Sequence, residues 1–198
     1  MDDIVKAALT KWPNVPNCYG WLGLDARGNW YMRDDNAQAA GPFCALPGTD
    51  PARQAASKGS LLRHDKLIDF IQRNYESDQT AGNEASGQWF FQNGPQRVYV
   101  ELEATPLIWR VDVEPGFAVT AHTGQPARIQ RSMIDEHGRL YLETDVGFGL
   151  VHTLDMLHAA DAVEQGLWVP QEVVARELPT RFGYVRSPDC LQKMLQKK

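Results

Sequence analysis

The chain reads as an α+β protein made from an internally duplicated unit of β-hairpin, helix and antiparallel strands, with its two halves packed as one pseudo-symmetric body. Three observations predict this. First, Leu24-Asp-Ala-Arg-Gly-Asn-Trp-Tyr-Met-Arg-Asp-Asp35 recurs as Ile134-Asp-Glu-His-Gly-Arg-Leu-Tyr-Leu-Glu-Thr-Asp145, with Asp, Gly, Tyr and the final Asp in register. Second, the order of glycine hairpin, helix, Gly-x-Trp strand, strand, proline and strand occurs twice, which chance similarity of one phrase would not produce. Third, a unit this small cannot bury both faces of its sheet alone, and the other copy is the nearest cover.

Each element has a local reason. Residues 1–14 predict a short helix: Asp2 or Asp3 caps it, Ile4, Ala7, Ala8 and Leu9 give apolar spacing, and Pro13 ends it. Residues 15–112 form the first repeat. Strands Tyr19–Leu24 and Asn29–Arg33 meet at Asp25-Ala-Arg-Gly28, where glycine supplies positive φ and aspartate bonds the turn. Residues 36–59, rich in Ala, Gly, Pro and Gln, predict a long loop that is mobile or partner-dependent, because its counterpart between Asp145 and Gly149 is short. A helix from Gly59–Ser60 to about Tyr75 shows an apolar stripe of Leu61, Leu62, Leu67, Ile68, Phe70 and Ile71, with Ser60 as its cap.

After a polar loop from Glu76 to Gly87, Gln88–Gln92 and Gln96–Leu102 predict a hairpin across Asn93-Gly94-Pro95, and Leu107–Val113 a further strand. Alternation on the second strand sets Val98, Val100 and Leu102 against Arg97, Tyr99 and Glu101, which predicts a solvent-facing Arg-Tyr-Glu row. Residues 113–189 form the second repeat: a helix from about Leu150 to Val163, the Gly166-Leu-Trp168 phrase, and strands at Glu172–Leu178 and Phe182–Arg186 separated by Pro179. Trp89 and Trp168 are the expected equivalent buried anchors, and residues 190–198 a tail.

Composition narrows the class. An apolar fraction of 43% with 23% charged residues is ordinary for a globular chain. The net charge of −5 divides as −3 over residues 1–112 and −2 over 113–198, so no basic face is concentrated in either half. Nucleic-acid binding, which draws most of its affinity from phosphate neutralisation, is therefore not expected. Lys193, Lys197 and Lys198 are too few for a polybasic membrane anchor, and no apolar run reaches the roughly 18 residues of a membrane span. Met1-Asp2-Asp3-Ile4 is acidic where a secretory signal is basic. Cys18, Cys44 and Cys190 lie far apart without C-x-x-C spacing, so a reducing cytoplasm is the expected compartment.

The helix ending Phe70-Ile-Gln-Arg-Asn-Tyr75, the run Trp89-Phe-Phe-Gln-Asn-Gly-Pro-Gln-Arg-Val-Tyr-Val-Glu-Leu-Glu-Ala-Thr-Pro106 and Cys18-Tyr-Gly-Trp21 together resemble an uncharacterised bacterial family of about this length, defined as a domain of unknown function. The hairpin, helix and Tyr-Val strand also look like a second bacterial family of unknown function built from a similar unit. The resemblance covers residues 17–112 well and the C-terminal half poorly. It implies a cytoplasmic bacterial protein, and it brings no activity whose residues could be carried over.

Chemistry-bearing patterns are sparse. His152, Asp155 and His158 fall at i, i+3 and i+6 on the second helix, and the two histidines stand about 120° apart where a metal motif needs i, i+4. Solvated helix polar residues account for them. His64-Asp65 opens the first helix, where an acid complements the dipole. There is no G-x-S-x-G elbow and no phosphate loop, and Gly147-Phe-Gly149 is too short a match for one. No metal and no cofactor is expected.

The densest polar set is Arg73, Asn93, Gln96, Arg97, Tyr99 and Glu101, flanked by Asn74 and Gln92. Arginine offers a planar fork to an anion or a peptide, and Tyr with Arg is enriched at hot spots. Turn chemistry and cross-strand pairing explain the same residues without a ligand. Three functions follow in order: a non-enzymatic binding or interaction module, a small-molecule or anion-binding regulator using the Arg/Tyr/Asn cluster, and an enzyme of unrecognised class. The expected partner is a protein or a small anionic ligand, and the sequence sets no oligomeric state.

Overall fold

Two sheets organise the chain. The structure is a computed structural model and describes residues 1–44, 48–78, 86–114 and 116–197. It divides into two compact units, the first made of Met1–Asp25, Asn29–Glu103 and Tyr184–Lys198, the second of Ala26–Gly28 and Ala104–Gly183. Among the described residues no helix is long and apolar enough to cross a membrane.

In the first unit, α1 (Asp3–Lys11) is followed by β1 (Cys18–Leu24) and β2 (Trp30–Met32). The stretch expected as one long loop holds two helices, α2 (Asp35–Ala40) and α3 (Pro51–Lys58). Asp34 and Asp50 cap them by accepting from Ala37 N and Arg53 N, and Pro51 sits where a helix loses nothing by lacking an N–H. The segment is tied down rather than free. The buried Arg33 guanidinium donates to the carbonyls of Gly20 (3.0 Å), Gly41 (2.6 Å) and Ser57 (2.8 Å), and Phe43 is fully buried. The part of that loop at residues 45–47 lies outside the described residues.

The helix expected from Gly59 is shorter than its apolar stripe suggests. Ser60–Leu61 pairs with β2 as β3, and α4 (Asp65–Arg73) begins only after His64, whose Nδ1 accepts from Leu67 N at 3.3 Å. Gly59, at φ +81°, brings its backbone against the Met32 carbonyl, and any Cβ there would collide. Next come β4 (Tyr75–Ser77), β5 (Trp89–Asn93) and β6 (Gln96–Leu102); residues 79–85 of the expected polar loop lie outside the described residues. The sheet order is β3-β2-β1-β6-β5-β4, with β1 and β6 parallel and the other neighbours antiparallel.

The first strand of the second unit is β7 (Leu107–Asp112), expected in the first repeat. β8 (Ala118–Ala121), β9 (Pro126–Ala127), β10 (Ile129–Asp135), β11 (Leu140–Thr144) and β12 (Phe148–Val151) follow. The expected helix from Leu150 thus starts late: β12 occupies its first residues, and α5 spans Met156–Glu164. The strand expected at Glu172–Leu178 is shortened to β13 (Gln171–Val173), and among the described residues no strand forms at Phe182–Arg186. Pro179 stands in the first turn of a short helix, α6 (Leu178–Arg181), a place that favours helix initiation. The sheet order is β13-β10-β11-β12-β7-β8-β9, parallel at β10–β13 and β12–β7. Finally α7 (Pro188–Leu195), capped by the Ser187 hydroxyl, returns to the first unit and packs on β1 and β6.

The duplication is written in the topology. The order β3-β2-β1-β6 and the order β12-β11-β10-β13 have the same directions throughout, with α4 and α5 occupying the same place in each. The repeated phrase has one chemistry in both copies. Asp25 accepts from Asn29 N (2.8 Å) and Asn29 Nδ2 (3.0 Å), while Asp135 accepts from Arg139 N (2.9 Å) and Arg139 Nε (2.7 Å). Both carboxylates are buried at the base of the turn they close. The copies differ in what is added: the first inserts the β4–β5 hairpin before its parallel strand, and the second places β7–β9 beside β12. Trp168 is a buried anchor as expected, whereas Trp89 is half-buried.

Candidate functional site

Strand β6 runs between β1 and β5, so its backbone is paired along both edges. Val98 to Leu102 are all buried, so of the row expected to face solvent Tyr99 and Glu101 do not, while Arg97 keeps 38% of its side chain exposed. Asp78, directly after β4, is the hub of the row. Its Oδ2 accepts from Arg97 Nη1 at 2.7 Å and from the Tyr99 hydroxyl at 3.2 Å, and the carboxylate is almost wholly buried. The Arg97 guanidinium lies over the Phe90 ring at 4.5 Å, and Tyr99 stacks on Tyr19 with centroids 4.7 Å apart and planes 6° from parallel. Burial pushes the Tyr99 hydroxyl up to about 12, so it stays protonated and acts as a donor at neutral pH.

Glu101, further along the same face, meets α7. Its carboxylate accepts from the Ser187 hydroxyl (2.6 Å) and from Asp189 N (3.0 Å). Desolvation raises its pKa, and those two bonds and the Arg33 charge only partly oppose the rise. The remaining residues of the set are used elsewhere. Arg73 faces the Asp2 carboxylate at 3.4 Å, Asn74 accepts from Asp2 N at 2.7 Å, and Gln96 donates to the Pro16 carbonyl at 3.0 Å. Asn93 stands across the turn from Gln96. The six residues thus divide among the chain start, the hairpin turn, Asp78 and the α7 N-terminus, and only Arg97 and Tyr99 meet on one partner.

The Asp–Arg–Tyr arrangement recurs in the second unit. Asp135 accepts from Arg139 Nε (2.7 Å) and the Tyr141 hydroxyl (2.8 Å), and Tyr141 stacks on Phe148 at 5.6 Å. Bonds from His137 N, Arg139 and Tyr141 outweigh the burial that would raise the Asp135 pKa, and hold it below the usual carboxylate value. A triad built twice at different places on the repeat behaves as a tie for a buried carboxylate. The helix histidines are structural in the same sense. Asp155 is buried, accepts from Arg110 Nε and Nη2 (2.6 and 3.1 Å) and from Val111 N (3.0 Å), and is not the solvated residue expected. His152 is also buried and caps through Nδ1, and His158 Nδ1 lies 2.9 Å from the Val111 carbonyl oxygen. Among the described residues no group of three or more His, Cys, Asp or Glu could hold a metal ion.

The second unit has an open groove at the β13 edge of its sheet. β13 pairs with β10 only from Met133↔Gln171 to Asp135↔Val173. Upstream, Leu167 N and Trp168 N donate to the Ala162 carbonyl at the end of α5 (3.0 and 3.2 Å), and the buried Trp168 ring packs edge-on to Phe117 at 6.5 Å. Residues 129–132 and 167–169 thereby stand apart as two walls of a groove of ≈ 350 Å³. Leu167 and Val169 line it while 59% and 77% exposed. Arg131, on the opposite wall, is paired with Glu143 at 2.6 Å.

A family model matches residues 1–189. The chain belongs to that family, described as "Protein of unknown function (DUF2946)". The crystal structure of a DUF1285 family protein from Silicibacter pomeroyi DSS-3 at 2.50 Å resolution is similar to this DUF2946 chain with a TM-score of 0.44 and 11% identity, over 81% of this chain and 84% of that one. No curated protein matches. Sequence reasoning on the DUF2946 chain missed Asp78, a lone acid in a polar stretch, and it missed the groove. Val169-Pro170 carried the one local signal for the groove, since proline cannot donate to a ladder.

Proposed function

We propose that this protein is a non-enzymatic binding or interaction module whose working surface is the groove beside β13. The observation that carries this reading is the exposure of Leu167 and Val169 on the wall of a preformed groove at a sheet edge, where burial would be favourable and nothing among the described residues supplies it. In support, Asp25, Arg33, Asp78, Glu101, Asp135 and Asp155 each hold hydrogen bonds that fix local structure, which leaves them little role in chemistry. Capture of partners from cell lysate by the wild type and by Val169→Glu tests the reading. The variant should keep its fold and lose what the wild type retains. Identical capture by both proteins refutes it, and so does a melting-temperature rise of several degrees with nucleotides, organic acids or divalent metals, which would indicate a small-molecule site.

A further inference from the structure

Resting on that reading of the groove, we infer that its occupant is an extended peptide segment of another protein, which adds as a strand alongside residues 129–132 through main-chain hydrogen bonds. The first reason is register. Continuing the β10–β13 pairing one step back from Met133↔Gln171 sets Ser132 opposite Pro170, which has no N–H to give. The chain's own strand stops there for a covalent reason.

The second reason is that the upstream segment is committed elsewhere. The amides of Leu167 and Trp168 cap α5, and the Trp168 ring anchors the segment to the core, so it cannot swing across to close the edge. Half of β10 is therefore left without a strand on that side among the described residues. The first copy of the unit shows the closed alternative: there β6 pairs with β1 from Cys18↔Val98 to Leu24↔Leu102, and β5 covers it in turn.

The third reason is the chemistry of the walls. One wall is a strand edge carrying Gln130, Arg131 and Ser132, and the other presents Leu167 and Val169. An open ladder is matched by an extended backbone, and the apolar wall selects for side chains on alternate positions of the added strand. A free anion is poorly matched, because Arg131 is already paired with Glu143. A folded second copy is poorly matched too: its own edge stands behind the same 167–169 wall and cannot reach into another groove.

The probe is a library of short random peptides displayed on phage and selected against the whole purified protein. Selected peptides should protect from hydrogen exchange those amides of residues 129–132 that face away from β11. N-methylation of alternate peptide amides should abolish binding in one register and spare it in the other, the signature of period-two pairing. Gln130→Pro, which places a residue without an N–H at the irregular step between Ile129 and Arg131, should weaken binding by about tenfold or more. Because that variant could misfold, the N-methylated peptides on wild-type protein provide the independent measurement. The inference is overturned if no peptide is selected, if protection maps elsewhere, if both N-methyl registers bind alike, or if light scattering finds a dimer that Gln130→Pro dissolves. Should Val169→Glu lose its lysate partners while peptide selection fails, the binding module stands and strand addition falls. Should Val169→Glu keep those partners, the module reading falls first.

Discussion

Asp135→Ala is the sharpest test of how the repeated hairpin is held. The carboxylate accepts four bonds, from His137 N (2.9 Å), Arg139 N (2.9 Å), Arg139 Nε (2.7 Å) and the Tyr141 hydroxyl (2.8 Å). The two backbone donors lie in an exposed turn and can take water in the variant, and the half-exposed Arg139 can do the same. The Tyr141 hydroxyl sits on a buried side chain, so its loss of the carboxylate is the costliest of the four. Taking the charged acceptor from a buried donor costs about 1–3 kcal/mol, and the charge-assisted bond from Arg139 contributes about 1.5–3 kcal/mol more. The expected loss is therefore about 3–5 kcal/mol, measured by urea unfolding at neutral pH with separate fluorescence and circular dichroism probes, since the two units need not unfold together. Adding Tyr141→Phe removes the donor that the carboxylate accepted, so the double variant should recover about 1 kcal/mol or more relative to additivity. A loss below about 1 kcal/mol, or strict additivity, would show that the carboxylate does not organise the turn.

Other expectations follow from the same geometry. Glu101 has a folded-state pKa raised above its unfolded value, so the stabilisation is full below the unfolded pKa and is lost as pH rises through the folded one. Glu101→Gln should then flatten the pH dependence of stability between those two values, and unchanged curves would contradict the assignment. Asp155 behaves oppositely: burial opposes ionisation, but the Arg110 and Val111 bonds hold its pKa low. Its contribution is present above the unfolded value and fails as pH falls through the depressed one, so Asp155→Asn should weaken the pH dependence of acid unfolding. Trp168→Ala should cost about 3–5 kcal/mol and Trp89→Ala clearly less, and equal losses would sink the burial argument. In Gly149→Ala the new Cβ meets the Leu107 carbonyl and the Trp109 indole, whereas Gly124→Ala meets nothing and strains only its φ of +83°. Thermal unfolding should rank the first far below the second.

Local chemistry was legible in the sequence, and nonlocal cover was not. Asp25-x-x-Gly28, Asp135-x-x-Gly138 and Asn93-Gly-Pro95 specify their turns within a few residues, and the structure has hairpins at all three. The apolar pattern of Gln96–Leu102 located a strand correctly but misjudged its polar face. Nothing near Tyr99 or Glu101 in sequence announces Asp78 from β4 or Ser187 from the α7 N-cap, and a buried polar row looks like an exposed one until its partners are known. Asp50-Pro51 is a helix-start signal that the surrounding Ala, Gly and Gln obscured. The strand expected at Leu107–Val113 was real, but which sheet receives a strand depends on pairing that period alone does not encode.

The return of residues 184–198 to the first unit makes the protein sensitive to the direction of its synthesis. Ser187 and Asp189 are made only after β1 through β6 and the whole of the second unit. Until they emerge, the carboxylate of Glu101 has neither of the donors that accompany its burial, and the face of β1 and β6 under α7 is uncovered. The unit begun first is thus finished second, because its closure waits on residues made after all of the other.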